Sequence, residues 1–491
     1  MATEHNDASA ILEASGMATS SRNIYYLRDA PVMRAILALG LPMAAGLAIT
    51  SLYNVVNSYF VGHYGSVADL AALIMGYPVI GTITAIAGLF GVGGSTLLAR
   101  MLGSGDTSRA KALSSFVCYA SLGAGVLLAV LGCLALDPLL HMLGASVEAA
   151  HAGAPSGSTE VYAATSGFVL ALLLGAPLWL LMFTLEQLVR GEGYAKQSMY
   201  GLIWGVLANL LADYVLIVQL RMGATGSAWA IACANVAAII YYLIFLGKHS
   251  PYFSIKLSDF SCAAQIVRPV LSVGASQLAQ SMFIVFSTLL LNHLSIKYGQ
   301  AATASFGVSI RLIMVPQTLC MGIAMGAIPL FAYSWGAGNR ARLRACLRSA
   351  VIFICVAACG FMVPALVLSD WALYLAGGSA LAGTADIVFT ALVCSTVGYG
   401  LVVLWISYFQ ACAKSLAALG ATAALGVCFV LCVLAGDALF GFEGLALSFP
   451  VALSSAAAIG TLLFVISGGT RIPDTDGVVP VEDDQKADHT S

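Results

Sequence analysis

Stretches of 20 or more mainly apolar residues, separated by short polar connections, recur along almost the whole chain. Each is long enough to cross roughly 30 Å of hydrocarbon as an α-helix, whose backbone groups satisfy one another internally. The pattern predicts twelve spans, over residues 35–60, 69–98, 112–136, 163–188, 197–219, 226–247, 268–294, 303–333, 346–369, 385–410, 416–438 and 443–467. The second and eighth are too long for a perpendicular crossing and contain Pro78 and Pro316, so tilting or bending is expected.

The pattern is duplicated. LGLPMAAGLAITSLYNVVNSYFVGHYG, residues 39–65, aligns with VGASQLAQSMFIVFSTLLLNHLSIKYG, residues 273–299, at an offset of 234. Farther on, Gly103, Gly105 and Arg109 meet Gly336, Gly338 and Arg342 at an offset of 233, and TLEQ at 184–187 faces SYFQ at 407–410. The expected organisation is a segment 1–34, a first lobe of six helices over 35–247, a linker 248–267, a second lobe over 268–467, and an acidic, solvated tail 468–491. Parallel repeats of this kind point to an alternating-access transporter with its substrate near mid-membrane.

Composition adds the class. Of 491 residues, 60% are hydrophobic and 9% charged, with a mean hydropathy of +0.93; soluble domains carry about a quarter charged residues. The chain reads as an all-α polytopic membrane protein. With the amino terminus inside, 18 of the 21 basic residues fall on the cytoplasmic side, so both termini are expected to be cytoplasmic. The polar first 30 residues hold no apolar run that resembles a cleaved signal. The 12 cysteines lie mostly in apolar spans without histidine or carboxylate neighbours and are expected to be plain membrane residues.

Against this background the few polar residues within spans stand out, because charge there is costly and usually faces a cavity or a partner. Asp213 carries the most weight, since Asn209 lies four residues earlier on the same helix face. Burial disfavours a charged carboxylate, so proton uptake and release near physiological pH is expected of it. The eleventh span has no matching carboxylate, which assigns any ion site to the first lobe alone. Glu186 has Arg190 at i+4, so a local ion pair competes with a functional role; Arg311 is expected to bridge helices. Asn54 and Asn57 interrupt the first span, with Tyr53 one turn before Asn57, and interhelical hydrogen bonding is the plainer reading of both. Gln277, Gln280, Gln410 and Asn235 are further candidates for a polar cavity lining. Tyr53, Tyr77, Trp204, Met282, Phe283 and Met314 could supply an adaptable apolar or cation-π surface, although residues of these types more often fill a core.

YNVVNSYFVGHYG, GVGGSTLLARMLGSGD, FTLEQLVRGEG, ANLLADYVLIV and GVSIRLIMVPQTLCMGIAMGAIPLFAYSWGAGN together resemble the multidrug and toxic compound extrusion (MATE) family, most closely its bacterial MepA-like branch, over about residues 25–470. The resemblance implies two pseudosymmetric six-helix bundles that export cationic compounds in exchange for H⁺ or Na⁺, in a bacterial cell membrane. It also implies a cation site in the first lobe, whose fifth-helix Asn and Asp are present as Asn209 and Asp213. The family's first-helix Asp is replaced by Asn57 and its sixth-helix Thr by Ile231. One change removes a charge and the other an oxygen. The remaining donors suit a proton at Asp213 better than a full Na⁺ shell, although Na⁺ held by Asp213, Asn209 and Asn57 stays open.

The function expected is therefore antiport of cationic amphipathic small molecules. Asp213, Asn209 and Asn57 would couple the ion, and Asp213, Glu186, Tyr53, Asn57, Gln277, Gln280, Met282, Phe283 and Gln410 would receive the substrate. The alternative is a flippase for lipid-linked precursors or polysaccharides of the same superfamily, which would call for several cavity cations where only Arg311 lies in a span. The histidines are scattered, and neither HExxH nor GxxxxGK occurs, so no enzyme, cofactor or nucleic-acid partner is expected. A monomer in the bilayer is the expected state.

Overall fold

The computed structural model describes residues 25–145, 158–369 and 384–472; the acidic tail beyond Ile472 lies outside them. Eleven described helices are long and apolar enough to cross a membrane. They are α1 (Val32–Tyr64), α2 (Val67–Ser104), α3 (Ala110–Leu134), α4 (Ser158–Gly191), α5 (Ala195–Asp213, continued by a π-turn over Tyr214–Gln219), α6 (Gly223–His249), α7 (Ala264–Ile296), α8 (Gln300–Gly336), α9 (Arg340–Val367), α10 (Thr384–Ala411) and α11 (Ser415–Ile466).

The count of eleven conceals twelve crossings. A straight helix of 52 residues would run about 78 Å, far beyond the bilayer. Gly441, at φ 61° and ψ −133°, breaks α11 into two arms. A methyl group on Gly436 would lie 2.3 Å from the Gly444 carbonyl oxygen, so the arms fold back tightly on glycine. These arms correspond to the last two spans expected from the sequence. Both long helices, α2 and α8, run on through their prolines as continuous helices of 38 and 37 residues.

The duplication is visible in the packing. In the first bundle α2 packs on α4, α4 on α6 and α1 on α5; in the second α8 packs on α10, α10 on α11 and α7 on α11. The bundles meet through α1 against α8 and α2 against α7, a pair of contacts that the repeat relates to each other. A hydrophobic cluster containing Ile36, Met43, Ile323 and Phe331 crosses this junction. Arg342 adds a polar tie: its guanidinium donates to the carbonyls of Tyr26, Leu27 and Ala30 at 2.9–3.0 Å, fastening the segment before α1 to the second bundle.

Glycine sets the closest approach. A methyl on Gly103 of α2 would lie 2.1 Å from the Tyr333 carbonyl oxygen of α8, and one on Gly336 of α8 would lie 2.1 Å from that of Arg100 of α2. Gly103 and Gly336, like Arg100 and Tyr333, are repeat partners. Among the described residues, such backbone-to-backbone approaches between the bundles fall in the halves of the helices nearest the chain termini, here termed the terminal side. On that side the bundles are sealed together.

Candidate functional site

The site is assembled where α1, α5 and α6 converge in the distal half of the first bundle. Asp213 is the last α-helical residue of α5, and the backbone widens into the π-turn immediately after it. Such turns are rare and recur at functional positions. On the neighbouring helix, the start of α6 is fixed by Asp69 of α2. Asp69 closes a capping box with Ser66 at the start of its own helix, and its Oδ1 accepts the Ala224 N–H of α6 at 2.8 Å. Gly223 takes a left-handed φ of 56°, and a side chain there would collide with Asp69. That anchorage sets the register of Ser227, one turn into α6.

A chain of hydrogen bonds then links the three helices. The Ser227 hydroxyl donates to Asn57 Oδ1 at 3.0 Å, Asn57 Nδ2 donates to the Tyr53 hydroxyl at 2.6 Å, and Tyr53 donates to Asp213 Oδ2 at 3.0 Å. Asn57 Nδ2 also lies 2.9 Å from Ser227 Oγ. Asp213 is fully buried, and Asn209 and Asn57 are nearly so. The remaining acceptors, Asp213 Oδ1 and Asn209 Oδ1, are buried without a hydrogen-bond partner among the described residues. No described basic side chain forms an ion pair with Asp213. The arrangement is a carboxylate with one oxygen held and the other free, with a free amide oxygen one turn earlier on α5, a donor set that can accept a proton or a cation.

The structure brings Tyr53, Asn57, Asn209 and Asp213 together and separates them from the other candidates. Glu186 and Arg190 form a buried hydrogen-bonded ion pair on the terminal side, and Ser198 Oγ donates to the same Glu186 oxygen at 3.5 Å. Ser198 and Asp213 are fifteen residues apart on α5, about 22 Å by helical rise, so Glu186 does not join the Asp213 cluster. Gln410 Nε2 donates to Ser276 Oγ at 3.1 Å and to Gln277 Oε1 at 3.4 Å, beside Arg100, which reaches across from the first bundle to the Ala411 carbonyl at 3.1 Å. This second cluster sits at the seal between the bundles. Gln280 is half-buried, Met282 is exposed, and Phe283 lies against Gly426 of α11.

Two expectations need correction. Ile231 is half-buried in the hydrophobic core of the first bundle and offers no polar atom, yet the oxygen is not lost to the site: Ser227, one turn earlier on α6, supplies it. Sequence reasoning passed over Ser227 because one hydroxyl in a small-residue run, GSAWAIA, carries little signal; its i−4 relation to Ile231 was the available clue. Arg311 does not bridge helices, since it is exposed and has no ion-pair partner among the described residues. Of the two asparagines in the first span only Asn57 turns inward; Asn54 is exposed. Tyr77 and Trp204 are more than half exposed, Met314 is 41% exposed, and Asn235 is buried with Nδ2 unpartnered.

The MatE family model matches residues 42–215 and 273–434. Multidrug export protein MepA of Staphylococcus aureus strain MRSA252 is 27% identical over 457 residues, covering 93% of this chain and 98% of that protein. Among solved structures, a MATE in complex with MaD3S superposes with a TM-score of 0.82 at 23% identity, covering 91% of this chain and 98% of the other. A MOP superfamily transporter from Pyrococcus furiosus gives a TM-score of 0.82 at 22% identity, covering 91% and 99%.

Proposed function

Because the chain belongs to the MatE family, we propose that it is a multi-pass antiporter that exports cationic amphipathic compounds in exchange for an inward-moving H⁺ or Na⁺. The observation that carries this reading is Asp213, a fully buried carboxylate without a basic partner among the described residues. A charge in such surroundings is strongly disfavoured unless a cation neutralises it. A proton, a Na⁺ ion and a cationic substrate are three ways to do so, and competition among them is what antiport requires.

The chain's own residues divide the work. The Tyr53 hydroxyl holds Asp213 Oδ2, leaving Oδ1 as the atom that takes the proton or faces the cation. Asn57 orients Tyr53 and is itself held by Ser227, and neither carries a charge, so Asp213 is the carboxylate of the cluster. The donor set favours H⁺: a proton needs only Asp213 Oδ1, whereas Na⁺ would have to draw on Asn209 Oδ1 and further oxygens. Export then requires the terminal-side seal to open while the distal side closes. Recognition of multiple drugs is suggested by the MepA relative, a multidrug export protein, and the basic residues flanking the spans suggest that the terminal side is cytoplasmic. The flippase alternative would want cations to receive phosphate, and among the described residues no basic side chain pairs with Asp213.

The test is uptake of a fluorescent lipophilic cation into inverted proteoliposomes, driven in turn by a pH gradient and by a Na⁺ gradient. Asp213→Asn should abolish gradient-driven transport while the protein inserts and melts normally. Undiminished transport by the variant would refute the assignment, and the gradient that drives the unaltered protein identifies the ion.

A further inference from the structure

A second site lies outside the transport machinery, at the terminal-side edge of the second bundle. There α9, α10, the return arm of α11 and the segment following it enclose an open cavity of about 460 Å³. Its rim carries three guanidinium groups, Arg344 and Arg348 one turn apart on α9 and Arg471 after α11, while its walls are formed by Leu347, Val351, Trp405 and Phe464. Arg344 is aimed by its Nε, which donates to Thr470 Oγ1 at 2.8 Å. None of the three arginines pairs with a carboxylate among the described residues. Trp405, 8% exposed, lines the cavity, and its Nε1–H has no hydrogen-bond partner among the described residues. Lys414 fixes the floor, donating to the carbonyls of Ser467 at 2.9 Å and Gly469 at 2.5 Å.

We propose that this cavity binds the headgroup of an anionic phospholipid from the leaflet on the terminal side. Three arginines without a carboxylate partner among the described residues line a space whose remaining lining is apolar apart from the Gly468–Thr470 segment, which suits an amphiphile with a phosphate at one end. The apolar path continues: Ile352 and Val356 follow Arg348 at successive turns of α9 and are 43% and 64% exposed. They carry an acyl chain about 12 Å from the rim towards the bilayer centre. The competing occupant is the chain's own acidic tail, which begins at the cavity. The tail can supply charge, but an extended peptide cannot follow Ile352 and Val356 into hydrocarbon without leaving its backbone groups unpaired. An acyl chain can.

The test is native mass spectrometry of the full-length protein titrated with equal phosphatidylglycerol and phosphatidylcholine. The unaltered protein and Arg340→Gln, an exposed charge on the same helix outside the cavity, should prefer the anionic lipid by roughly tenfold or more. Combined Arg344→Gln, Arg348→Gln and Arg471→Gln should bring the preference to about twofold or less. The pair Arg348→Gln and Arg471→Gln, which keeps the Arg344 to Thr470 bond, should lose most of it with an unchanged melting temperature. A preference retained by both combined variants overturns the proposal. So does displacement of the lipid by millimolar inorganic phosphate, which would mark a free-anion site, or a several-fold rise in lipid binding on deleting residues 474–491, which would assign the cavity to the tail.

Discussion

Replacing Gly336 by alanine tests the seal between the bundles most directly. The added methyl would lie 2.1 Å from the Arg100 carbonyl oxygen and 2.9 Å from that residue's carbonyl carbon and Cα, all backbone atoms that no rotamer change can move. Relief requires α2 and α8 to separate by about 1 Å at the terminal side, and overpacking of this order costs roughly 1–3 kcal/mol. That cost falls on the sealed arrangement alone, so the balance between sealed and terminal-side-open forms should move by about 5- to 150-fold. Cys412 is the natural reporter, being 1% exposed and one residue beyond the Ala411 carbonyl that Arg100 grips. Its maleimide labelling, read by peptide mass spectrometry, should accelerate by the same factor. Gly103→Ala, the repeat-related change, should behave alike because its methyl meets the Tyr333 carbonyl at 2.1 Å. Gly123→Ala on α3, with open space around it, should do nothing. If Cys412 labels at the unaltered rate in both interface variants, the seal does not depend on these contacts and the reasoning fails.

Ser227→Ala removes the donor to Asn57 Oδ1, while Asn57 Nδ2 keeps its bond to Tyr53; leaving that buried carbonyl oxygen unsatisfied costs about 1–3 kcal/mol. Gradient-driven export should fall severalfold, and Ser227→Thr should restore it. Asp69→Ala removes the acceptor of the Ser66 N–H at the start of α2 and of the Ala224 N–H at the start of α6. A cap is worth about 1 kcal/mol, so the thermal midpoint should drop, with Asp69→Asn intermediate. Glu192, in the turn between α4 and α5, is buried and accepts a hydrogen bond from Ser250 at 2.6 Å; burial pushes its carboxyl from the ordinary 4.5 up to about 7. The folded protein therefore keeps a proton that the unfolded chain has released, so stability falls as pH rises from 4.5 to 7 and stays lowered above that. The shift corresponds to about 3 kcal/mol at most. Glu192→Gln should flatten that part of the melting-temperature profile, and parallel profiles would contradict the role of burial.

The twelve crossings were legible in the sequence because a membrane imposes one rule on every segment: enough consecutive apolar residues to span it, with the backbone satisfied locally. Duplication was legible for a related reason, since glycines that must admit a crossing helix cannot drift without breaking the contact, and Gly103 and Gly336 stand at the same place in each half. Asp213 and Asn209 were visible as charge and amide on one face of one helix. What the sequence could not supply was which helices would meet there. Tyr53, Asn57 and Ser227 reach Asp213 from α1 and α6, across sequence separations of 160 residues for the Tyr53 bond and 170 for Asn57 with Ser227, and only the packing of three helices decides that Ser227 faces the cluster while Ile231 faces the core. The same holds for Glu186, which shares a bundle with Asp213 yet sits near the other end of α5, and for the arginine-rimmed cavity, whose walls come from three separate stretches of chain. Hydrophobic periodicity is a one-dimensional property and fixes the spans. Which side chains share a space depends on helix rotation and crossing, and these are set by contacts between residues far apart in the chain.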